Sequence, residues 1–421
     1  MTLTAIVHKE LSFAITIIAN HNIDTMDTIK SKIVMSKFYG EIEFYSKVVD
    51  NLWSIFEEDR QKLTEPFFLL LSKSLIKMGM LKRAGSVIEW SLNKYKNITW
   101  QLEAVEYQVL KYHLNPTQNT KKNILENISY LSNKPMAIDQ YPIFAHTLYA
   151  MGYYKKYFEI YDHIFQNIKL DELFPAAKSK FDSTKTLISM NEIIDILAKE
   201  NIISFPVAGS LLGLVRDGKL FDHDKDADIG LFIENYEQVH HIVSSICKIE
   251  KFTAPAMVVA PKEQLIWNVP ILDTLNGNAT DLFFFYNEEN HYNMGIYTTC
   301  DIVKWNFTPF ELTINTFGGR EYYTPDNYEL YLDEMYGNGW KEPVIVWDSL
   351  LNSPNISSKS KNPVLYYALS RLLGSIADKK IKHFDNIRDT LRENWDYSFS
   401  KEAEENLNMI RQRLLEEEKS E

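Results

Sequence analysis

Cysteine is scarce in this chain. Only Cys247 and Cys300 occur among the 421 residues, and they lie far apart in the sequence. Two such cysteines form neither a disulfide framework nor a zinc site of four thiolates. Since proteins of reducing compartments typically lack disulfides, we expect a cytoplasmic protein.

Basic charge is limited as well. The chain has 45 Lys and Arg residues against 57 Asp and Glu residues, which gives a formal net charge of -12. Proteins that bind nucleic acid hold the phosphate backbone with clustered Lys and Arg, and no such cluster occurs here. We therefore exclude a general nucleic-acid binder. The negative net charge is still compatible with binding of a small anionic ligand, because a few local cations or a metal ion suffice to hold it.

Long apolar runs are also missing. No segment approaches the ~20 consecutive apolar residues that a membrane-spanning helix requires. The apolar run from Leu11 to Ala19 follows charged residues and leads to no clear cleavage site, so it indicates a helix rather than a signal peptide. We predict that the chain has no membrane span.

The composition is that of a globular protein, and we predict an α+β fold in three parts. Residues 1–170 show helical spacing without strand alternation and are predicted to form an all-α domain of helical hairpins. Residues 187–350 mix helix and strand patterns, which predicts a domain with a mixed sheet. Residues 362–421 return to helix.

Two segments of the helical part resemble each other. In each, an apolar helix leads to a glycine, at Gly79 and at Gly152, and a second apolar helix follows. The apolar positions that define the two copies are Phe68, Leu71, Leu75, Met78, Ala84, Val87 and Ile88, and then Phe144, Leu148, Met151, Phe158, Ile160 and Tyr161. Such a unit is typical of tetratricopeptide-like arrays, although an irregular helical domain explains the pattern equally well. Either interpretation predicts a domain that docks a protein partner or the substrate.

The stretch "FDHDKDADIGLFI" places Asp222, Asp224, Asp226 and Asp228 at every second position before an apolar strand. In an extended strand alternate side chains share one face, so these carboxylates are expected to stand side by side. Each would then raise the free energy of ionising the others. The pattern predicts a positively charged partner at this place.

Three interpretations of this acidic stretch compete. Asp favours turns, so the first is a hydrophilic loop before a strand. The second is a calcium loop, but counted from Asp222 the sixth position is Ala227 and the twelfth is Ile233, where such a loop needs Gly and Glu. The third is a Mg²⁺ site for phosphoryl or nucleotidyl transfer, which needs carboxylates from neighbouring strands.

The sequence supplies each part of a Mg²⁺ site. Asp226 and Asp228 bracket one small residue, and Asp281 opens the later apolar strand "DLFFFY". Gly209 and Ser210 form a small-residue turn at the start of a helix, where exposed N–H groups favour an anion. A strand, a Gly-Ser turn, a helix and then a strand with Asp-x-Asp are typical of the polymerase-β-like nucleotidyltransferase fold.

The longer string "GSLLGLVRDGKLFDHDKDADIGLFI" resembles the LicD/fukutin family. The family pattern falls on Gly209, Ser210, Leu212, Gly213, Arg216, Asp226, Asp228 and Gly230. "TDLFFFY" and the segment from Phe317 to Pro343, which contains Tyr331 and Tyr336, resemble later blocks of the family, so the resemblance covers residues 187–350. Lys225 interrupts the run of aspartates, which makes the stretch more similar to the fukutin branch than to the choline-phosphate transferases.

The resemblance implies a CDP-alcohol:glycan phosphotransferase. Such an enzyme moves a phosphorylated alcohol, either a polyol phosphate such as ribitol phosphate or phosphocholine, from a CDP-linked donor to a sugar hydroxyl of a surface glycan such as a capsule polysaccharide, and releases CMP. It implies that Asp226, Asp228 and Asp281 hold Mg²⁺ or Mn²⁺. Asp281 is alternatively the base that accepts the acceptor's proton, and Asp224 is a further catalytic candidate.

The resemblance also implies groups that hold the donor phosphates. Gly209 and Ser210 would approach a phosphate through the backbone, and Arg216 would clamp it. Lys225 and Arg320 are weaker candidates for the same task.

Two other functions remain compatible with the sequence. A nucleotidyltransferase that moves NMP from an NTP to a small molecule or a protein would use the same carboxylates but release pyrophosphate. A helical scaffold with an inactive transferase domain is the other alternative, although three mutually repelling carboxylates at one place argue against it.

Overall fold

The structure is a computed structural model, and it describes residues 36, 45–77, 80–114, 117–132, 134, 136, 140–173, 181–254, 265–288, 290–298, 300–344 and 346–420. The first part is helical: α1 (Tyr45–Asp59), α2 (Glu65–Lys77), α3 (Leu81–Tyr95), α4 (Ile98–Leu114), α5 (Gln118–Ser132), α6 (Tyr141–Ala150) and α7 (Tyr154–Asn167). Short 3-10 helices lie at Arg60–Lys62, Leu170–Glu172 and Ser358–Ser360. No helix in these described ranges is both long and apolar enough to cross a membrane.

The second part mixes helices and strands. Its elements are α8 (Ser183–Lys199), β1 (Phe205–Pro206), α9 (Ala208–Asp217), β2 (Asp226–Phe232), α10 (Tyr236–Cys247), β3 (Phe252–Thr253), β4 (Asn268–Asp273), β5 (Ala279–Glu288), β6 (His291–Tyr297), β7 (Ile302–Phe307), β8 (Leu312–Phe317), β9 (Arg320–Pro325) and α11 (Tyr328–Tyr336). The chain ends with α12 (Ser349–Asn352), α13 (Lys361–Ala377), α14 (Ile381–Trp395) and α15 (Lys401–Ser420). The predicted α+β class is confirmed.

The predicted helix pairs are present. Helices α2 and α3 pack on each other, as do α6 and α7. Their predicted apolar positions are buried at Phe68, Leu71, Leu75, Ala84, Val87, Ile88, Phe144, Leu148 and Tyr161. Met78 and Gly79 lie outside the described residues. The helical part is confirmed, whereas its assignment as a tetratricopeptide-like array stays a prediction.

The main sheet is mixed. Its strand order is β1-β2-β5-β4-β3, and β6 extends it by pairing with the end of β5 and with β7. The strands β2 and β5 run parallel, while the other pairs in this sheet are antiparallel. Strands β8 and β9 form a separate hairpin.

Each face of the main sheet carries its own hydrophobic core. On one face, Ala227, Ile229 and Leu231 of β2 pack with helices α8 and α10. On the other face, Phe283 and Phe285 of β5 pack with α9, α11 and the C-terminal helices. Because side chains alternate along a strand, Asp226, Asp228 and Gly230 belong to this second face.

The second core also includes helices from the N-terminal part. Tyr157 and Tyr161 of α7 are buried in it with residues of α13, and the Tyr157 hydroxyl donates a hydrogen bond to the carbonyl of Tyr366 at 3.0 Å. Side-chain packing therefore crosses the predicted boundary near residue 170, although the division into domains itself stays a prediction.

A buried glutamate in the helical part gives a testable pH dependence. Glu103 on α4 has 2% of its side chain exposed, and its carboxylate lies 3.4 Å from the ammonium of Lys73, which is 54% exposed. Burial is the main reason that the pKa of Glu103 rises from 4.5 to about 7. Between these pH values the folded chain keeps a proton that the unfolded chain has lost, so this group makes stability fall as pH rises, by at most about 1.4 kcal/mol per pH unit.

We expect the Glu103→Gln variant to lack this decrease in stability with pH. The free energy of unfolding of the variant minus that of the wild type should therefore increase from pH 5 to pH 8. Urea unfolding followed by circular dichroism at several pH values measures it. Glu126→Gln is the matched control, because Glu126 forms an ion pair with Lys122 at 3.9 Å on α5 but is 65% exposed. Parallel pH profiles for wild type and Glu103→Gln would contradict the assignment.

Candidate active site

Three of the predicted carboxylates meet where β2 and β5 begin. Asp228 of β2 lies directly opposite Asp281 of β5 in the parallel register, and Asp226 precedes Asp228 by two residues on the same face. Neighbouring strands are separated by only about 4.8 Å. The fold therefore brings together two carboxylates that lie 53 positions apart in the sequence, as positions 281 and 228 show.

Asp224 joins this group although it precedes the strand. A Cβ atom placed on Gly209 would lie 3.5 Å from Oδ2 of Asp224 and 3.6 Å from Oδ2 of Asp228. Two carboxylates thus flank the same glycine at the start of α9. A methyl group at Gly209 would therefore be in ordinary van der Waals contact with both carboxylates.

The carboxylates influence each other's ionisation. The pKa of Asp228 is well above its usual value because of burial and then the charges of Asp226, Asp281 and Asp224. Burial also raises the pKa of Asp224 to about 6, and Asp226 adds to this rise. Burial raises the pKa of Asp226 too. Such a cluster of acidic groups costs free energy in the folded protein, which is typical of functional sites.

Asp222, the first aspartate of the acidic stretch, does not join the cluster, which corrects the expectation that all four aspartates of the stretch stand side by side. The strand begins only at Asp226, and a turn precedes it in which the N–H of Asp224 donates to the carbonyl of Phe221 at 3.3 Å. The turn directs Asp222 to the surface, where it pairs with Lys219 at 3.3 Å and accepts a hydrogen bond from the Ser183 hydroxyl.

The Gly-Ser turn holds Asp228 in position. The N–H of Asp228 donates to Oγ of Ser210 at 2.8 Å, and its carbonyl accepts a hydrogen bond from the N–H of Val207 at 3.2 Å. A backbone hydrogen bond from Gly209 lowers the pKa of Asp228, against the larger effects that raise it. In the structure, these groups at the start of α9 thus orient the carboxylate of the neighbouring strand.

Two tyrosines of α11 complete the surroundings of Asp228. The Tyr331 hydroxyl accepts a hydrogen bond from the N–H of Ala208 at 3.3 Å, and its ring stacks on Phe307 with centroids 4.4 Å apart. Burial raises the pKa of Tyr331 and of Tyr336, and the charge of Asp228 raises both further. Sequence reasoning assigned no role to these tyrosines. Their place in the block from Phe317 to Pro343, which resembles the family, was the available signal.

Arg216 lies near this group. Its guanidinium covers the ring of Phe221 at 4.4 Å, its Nε lies 3.5 Å from the Asp217 carboxylate, and 17% of its side chain is exposed. The positive charge of Arg216 lowers the pKa of Tyr336, whereas Asp228 and Asp224 raise it. Among the described residues, Nε of Arg216 has no hydrogen-bond partner. This nitrogen is buried, so it is not itself exposed to a ligand.

The two weaker cation candidates are placed differently. Lys225 is exposed beside the cluster and lowers the pKa of Asp226. Arg320 pairs with Asp195 and contacts the carbonyl of Asn191 at 3.4 Å, so it joins β9 to α8. Helix α8 packs on the opposite face of the sheet from the aspartates, and the structure does not bring Arg320 into their group.

The donor atoms of the cluster suit a hard divalent cation. Mg²⁺ and Mn²⁺ prefer carboxylate oxygens, and a cation beside Asp226, Asp228 and Asp281 would offset the repulsion that raises the pKa of Asp228. Within the described ranges, no three His, Cys, Asp or Glu side chains already stand in an arrangement that could hold a metal ion. The fit therefore rests on the chemistry and charge of the carboxylates.

Together these features define a class of protein. A mixed sheet, a small-residue turn at a helix start and Asp-x-Asp opposite a third carboxylate are the features expected of a nucleotidyltransferase-type domain. Residues 201–327 match the LicD/FKTN/FKRP nucleotidyltransferase domain, which contains all four clustered aspartates and Arg216. The chain therefore carries a LicD/fukutin-like domain, as the sequence resemblance predicted.

The chain is also similar to curated proteins of mammals. It is 28% identical over 184 residues to ribitol-5-phosphate transferase FKTN of Homo sapiens and of Macaca fascicularis, which covers 42% of this chain and 38% of each relative. It is 26% identical over 159 residues to the same enzyme of Mus musculus, covering 37% of this chain and 33% of that relative. The chain thus spans well under half the length of these relatives.

Proposed function

We propose that this protein is a phosphotransferase that moves a polyol phosphate, with ribitol phosphate as the first candidate, from a CDP-linked donor to a sugar hydroxyl of a glycan. The observation that carries the proposal is the register of β2 and β5, which sets Asp228 opposite Asp281 inside a domain of the LicD/FKTN/FKRP type. The similar proteins named ribitol-5-phosphate transferase favour a polyol phosphate over phosphocholine.

In the proposed reaction, the sugar hydroxyl attacks the phosphorus that carries the polyol. A new O–P bond forms, the bond from this phosphorus to the bridging oxygen breaks, and CMP leaves with that oxygen. The hydroxyl proton must go to a base. Asp281 and Asp224 are the candidates, because both carry carboxylates beside Asp228, which the Gly-Ser turn holds in place.

The remaining groups of the site bind and orient the donor. Arg216, which lies near the carboxylates and has 17% of its side chain exposed, is the proposed contact for a donor phosphate. Mg²⁺ or Mn²⁺ held by Asp226 and Asp228, and also by Asp281 if Asp224 is the base, would supply positive charge to the diphosphate.

The wider setting also belongs to the proposal. We propose a cytoplasmic enzyme that builds or decorates a surface glycan such as a capsule polysaccharide, with the helical part docking a protein partner or the acceptor. The net charge of -12 argues against nucleic acid as a partner.

CMP release from purified protein tests the function. The assay contains Mg²⁺ or Mn²⁺, a mixed glycan acceptor pool, and CDP-ribitol, CDP-glycerol or CDP-choline in separate reactions. We expect release from CDP-ribitol that is lost in Asp226→Asn and retained in Asp222→Asn, because Asp222 lies outside the cluster. Pyrophosphate release from an NTP without CMP release from any CDP-alcohol would instead support the nucleotidyltransferase.

A further inference from the structure

The backbone is strained where β1 leads into α9, beside the aspartates. Ala208, the first residue of α9, has a φ of +45°, a left-handed value that the Cβ atom of an L-residue disfavours. Among the described residues, the other non-glycine positions with positive φ are all exposed, namely Lys96, Asn201, Asn290, Lys379 and Asp396. Ala208 is instead buried, with 9% of its surface exposed. Strain of this kind persists only where the surrounding structure enforces it, and it is concentrated at functional sites.

The strained residue turns the chain so that the start of α9 faces Asp228. Val207 is still extended, with a φ of −132° and a ψ of 175°, and its N–H donates to the carbonyl of Asp228 at 3.2 Å. Directly after the strained residue, the N–H of Gly209 donates to the carboxylate of Asp228. Oγ of Ser210 accepts a hydrogen bond from the N–H of Asp228 at 2.8 Å. The conformation of Ala208 therefore sets the positions of both residues that orient this carboxylate.

Tyr331 supplies a hydrogen bond that holds this turn. The first N–H groups of a helix have no acceptor within the helix, and Val207 at the preceding position provides no side-chain cap. The hydroxyl of Tyr331 on α11 takes this role, since it accepts a hydrogen bond from the N–H of Ala208 at 3.3 Å. Because Ala208 is buried, loss of the acceptor would leave a buried N–H unpaired, which is unfavourable.

The packing of Tyr331 fixes the position of its hydroxyl. The residue has 2% of its surface exposed. Its ring stacks on that of Phe307 with centroids 4.4 Å apart and planes inclined by 6°, and Phe310 packs edge-on at 6.0 Å. Phe307 belongs to β7, a strand of the main sheet. The acceptor is thus held by the sheet and α11, independently of the turn that it stabilises.

We propose that Tyr331 is a positioning residue of the active site. Its hydroxyl holds the strained turn at Ala208, and the turn holds the carboxylate of Asp228 in the orientation that the reaction requires. The inference rests on the proposed function for the reaction that is affected, but the state of the turn is measurable without turnover.

Tyr331→Phe keeps the ring and removes only the hydroxyl. We expect it to lower kcat for CMP release about tenfold and to leave the KM for CDP-ribitol unchanged, because Asp228 is displaced while Arg216 still contacts the donor. Tyr157→Phe is the matched control for a structural effect. It also removes one hydrogen bond of a buried tyrosine, to the carbonyl of Tyr366 at 3.0 Å, and should lower stability without lowering kcat.

Ala208→Gly tests whether the hydroxyl acts through the strained turn. Glycine adopts positive φ without the steric penalty of a Cβ atom, so the turn then needs less support. In a chain that already carries Ala208→Gly, we expect Tyr331→Phe to lower kcat by less than about threefold. A loss of about tenfold both with and without Ala208→Gly would contradict the inference, because the hydroxyl would then act independently of the strain.

Amide hydrogen exchange of residues 207–211, measured by mass spectrometry, follows the turn in the absence of substrate. We expect Tyr331→Phe to accelerate exchange in this segment at least about tenfold, because the N–H of Ala208 loses its acceptor. Tyr157→Phe should leave exchange in this segment unchanged. Equal exchange in the wild type and Tyr331→Phe would overturn the inference.

The two measurements separate this inference from the proposed function. Faster exchange in Tyr331→Phe, without CMP release from the wild type, would refute the proposed function and support the hold of Tyr331 on the turn. CMP release from the wild type, with exchange and kcat unchanged in Tyr331→Phe, would refute the role of Tyr331 alone.

Discussion

Asp228→Asn is expected to lower phosphotransfer by at least about 10³-fold and to make the protein more stable. Transfer needs the negative charge of Asp228 beside Asp226 and Asp281, and the substitution removes it. The same charge is unfavourable in the folded protein, since burial and three neighbouring carboxylates raise the pKa of Asp228. An asparagine keeps an acceptor for the Gly209 N–H, so we expect a gain of about 1 kcal/mol at neutral pH.

Thermal unfolding and CMP release, measured on the same preparation, test this combination. Asp222→Asn is the matched control, because Asp222 is an exposed aspartate of the same stretch and pairs with Lys219. We expect the control to keep its activity and to show no gain in stability. An Asp228→Asn variant that unfolds more easily, or one that retains full activity, would contradict the assignment of Asp228.

Gly213→Ala is expected to lower the stability of the protein. A Cβ atom at Gly213 would lie 2.6 Å from the carbonyl oxygen of Lys219 and 3.4 Å from Cα of Leu220. Both are backbone atoms, which cannot move away by rotating a side-chain bond. Either α9 or the segment that follows it, which contains Lys219 and Leu220, must therefore shift. We expect a loss of about 1–3 kcal/mol in the free energy of unfolding. Because this segment leads into Asp224, activity should fall as well.

Gly339→Ala is the control for this substitution. A Cβ atom at Gly339 would have no neighbouring atom within 4 Å, so the change should leave both stability and activity nearly unaltered. Urea unfolding of both variants measures the difference. Equal stability of Gly213→Ala and Gly339→Ala would contradict this prediction, because it would show that the close contact between α9 and the segment at Lys219 and Leu220 does not require a glycine at position 213.

Local patterns predicted which carboxylates lie together at the edge of the sheet, whereas their role stays a prediction. The Gly-Ser turn, the Asp-x-Asp strand and the later strand with Asp281 are each readable from short stretches of sequence. Their meeting also followed, because a carboxylate at the start of each neighbouring parallel strand falls at the same sheet edge. The resemblance to the LicD/fukutin family supported the same residues and is confirmed for residues 201–327.

The positions of other side chains depend on tertiary packing, which local sequence patterns do not predict. Alternation predicted Asp222 within the cluster, but the turn before β2 directs it to the surface. Arg320 belongs to a hairpin whose position against α8 no local pattern encodes. The contacts of Tyr331 with Ala208 and Phe307 likewise join elements that lie far apart in the sequence.

The helical part shows the same limit. Helical periodicity located buried positions of α2, α3 and α6. In α7 it located Tyr161, whereas the predicted Phe158 and Ile160 are only half-buried and the buried face consists of Tyr157, Tyr161, Ile164 and Phe165. The periodicity gave no indication that α7 would share a core with α13, because that contact joins residues such as Tyr157 and Tyr366 that are 209 positions apart.

The mass of the glycan product tests the central claim most directly. Acceptor glycans are incubated with CDP-ribitol, Mg²⁺ and either wild-type protein or Asp228→Asn, and the products are analysed by mass spectrometry. We predict that the wild type adds one ribitol phosphate for each CMP released and that Asp228→Asn adds none. Transfer of a nucleotide instead of ribitol phosphate, or equal products from the two proteins, would contradict the claim.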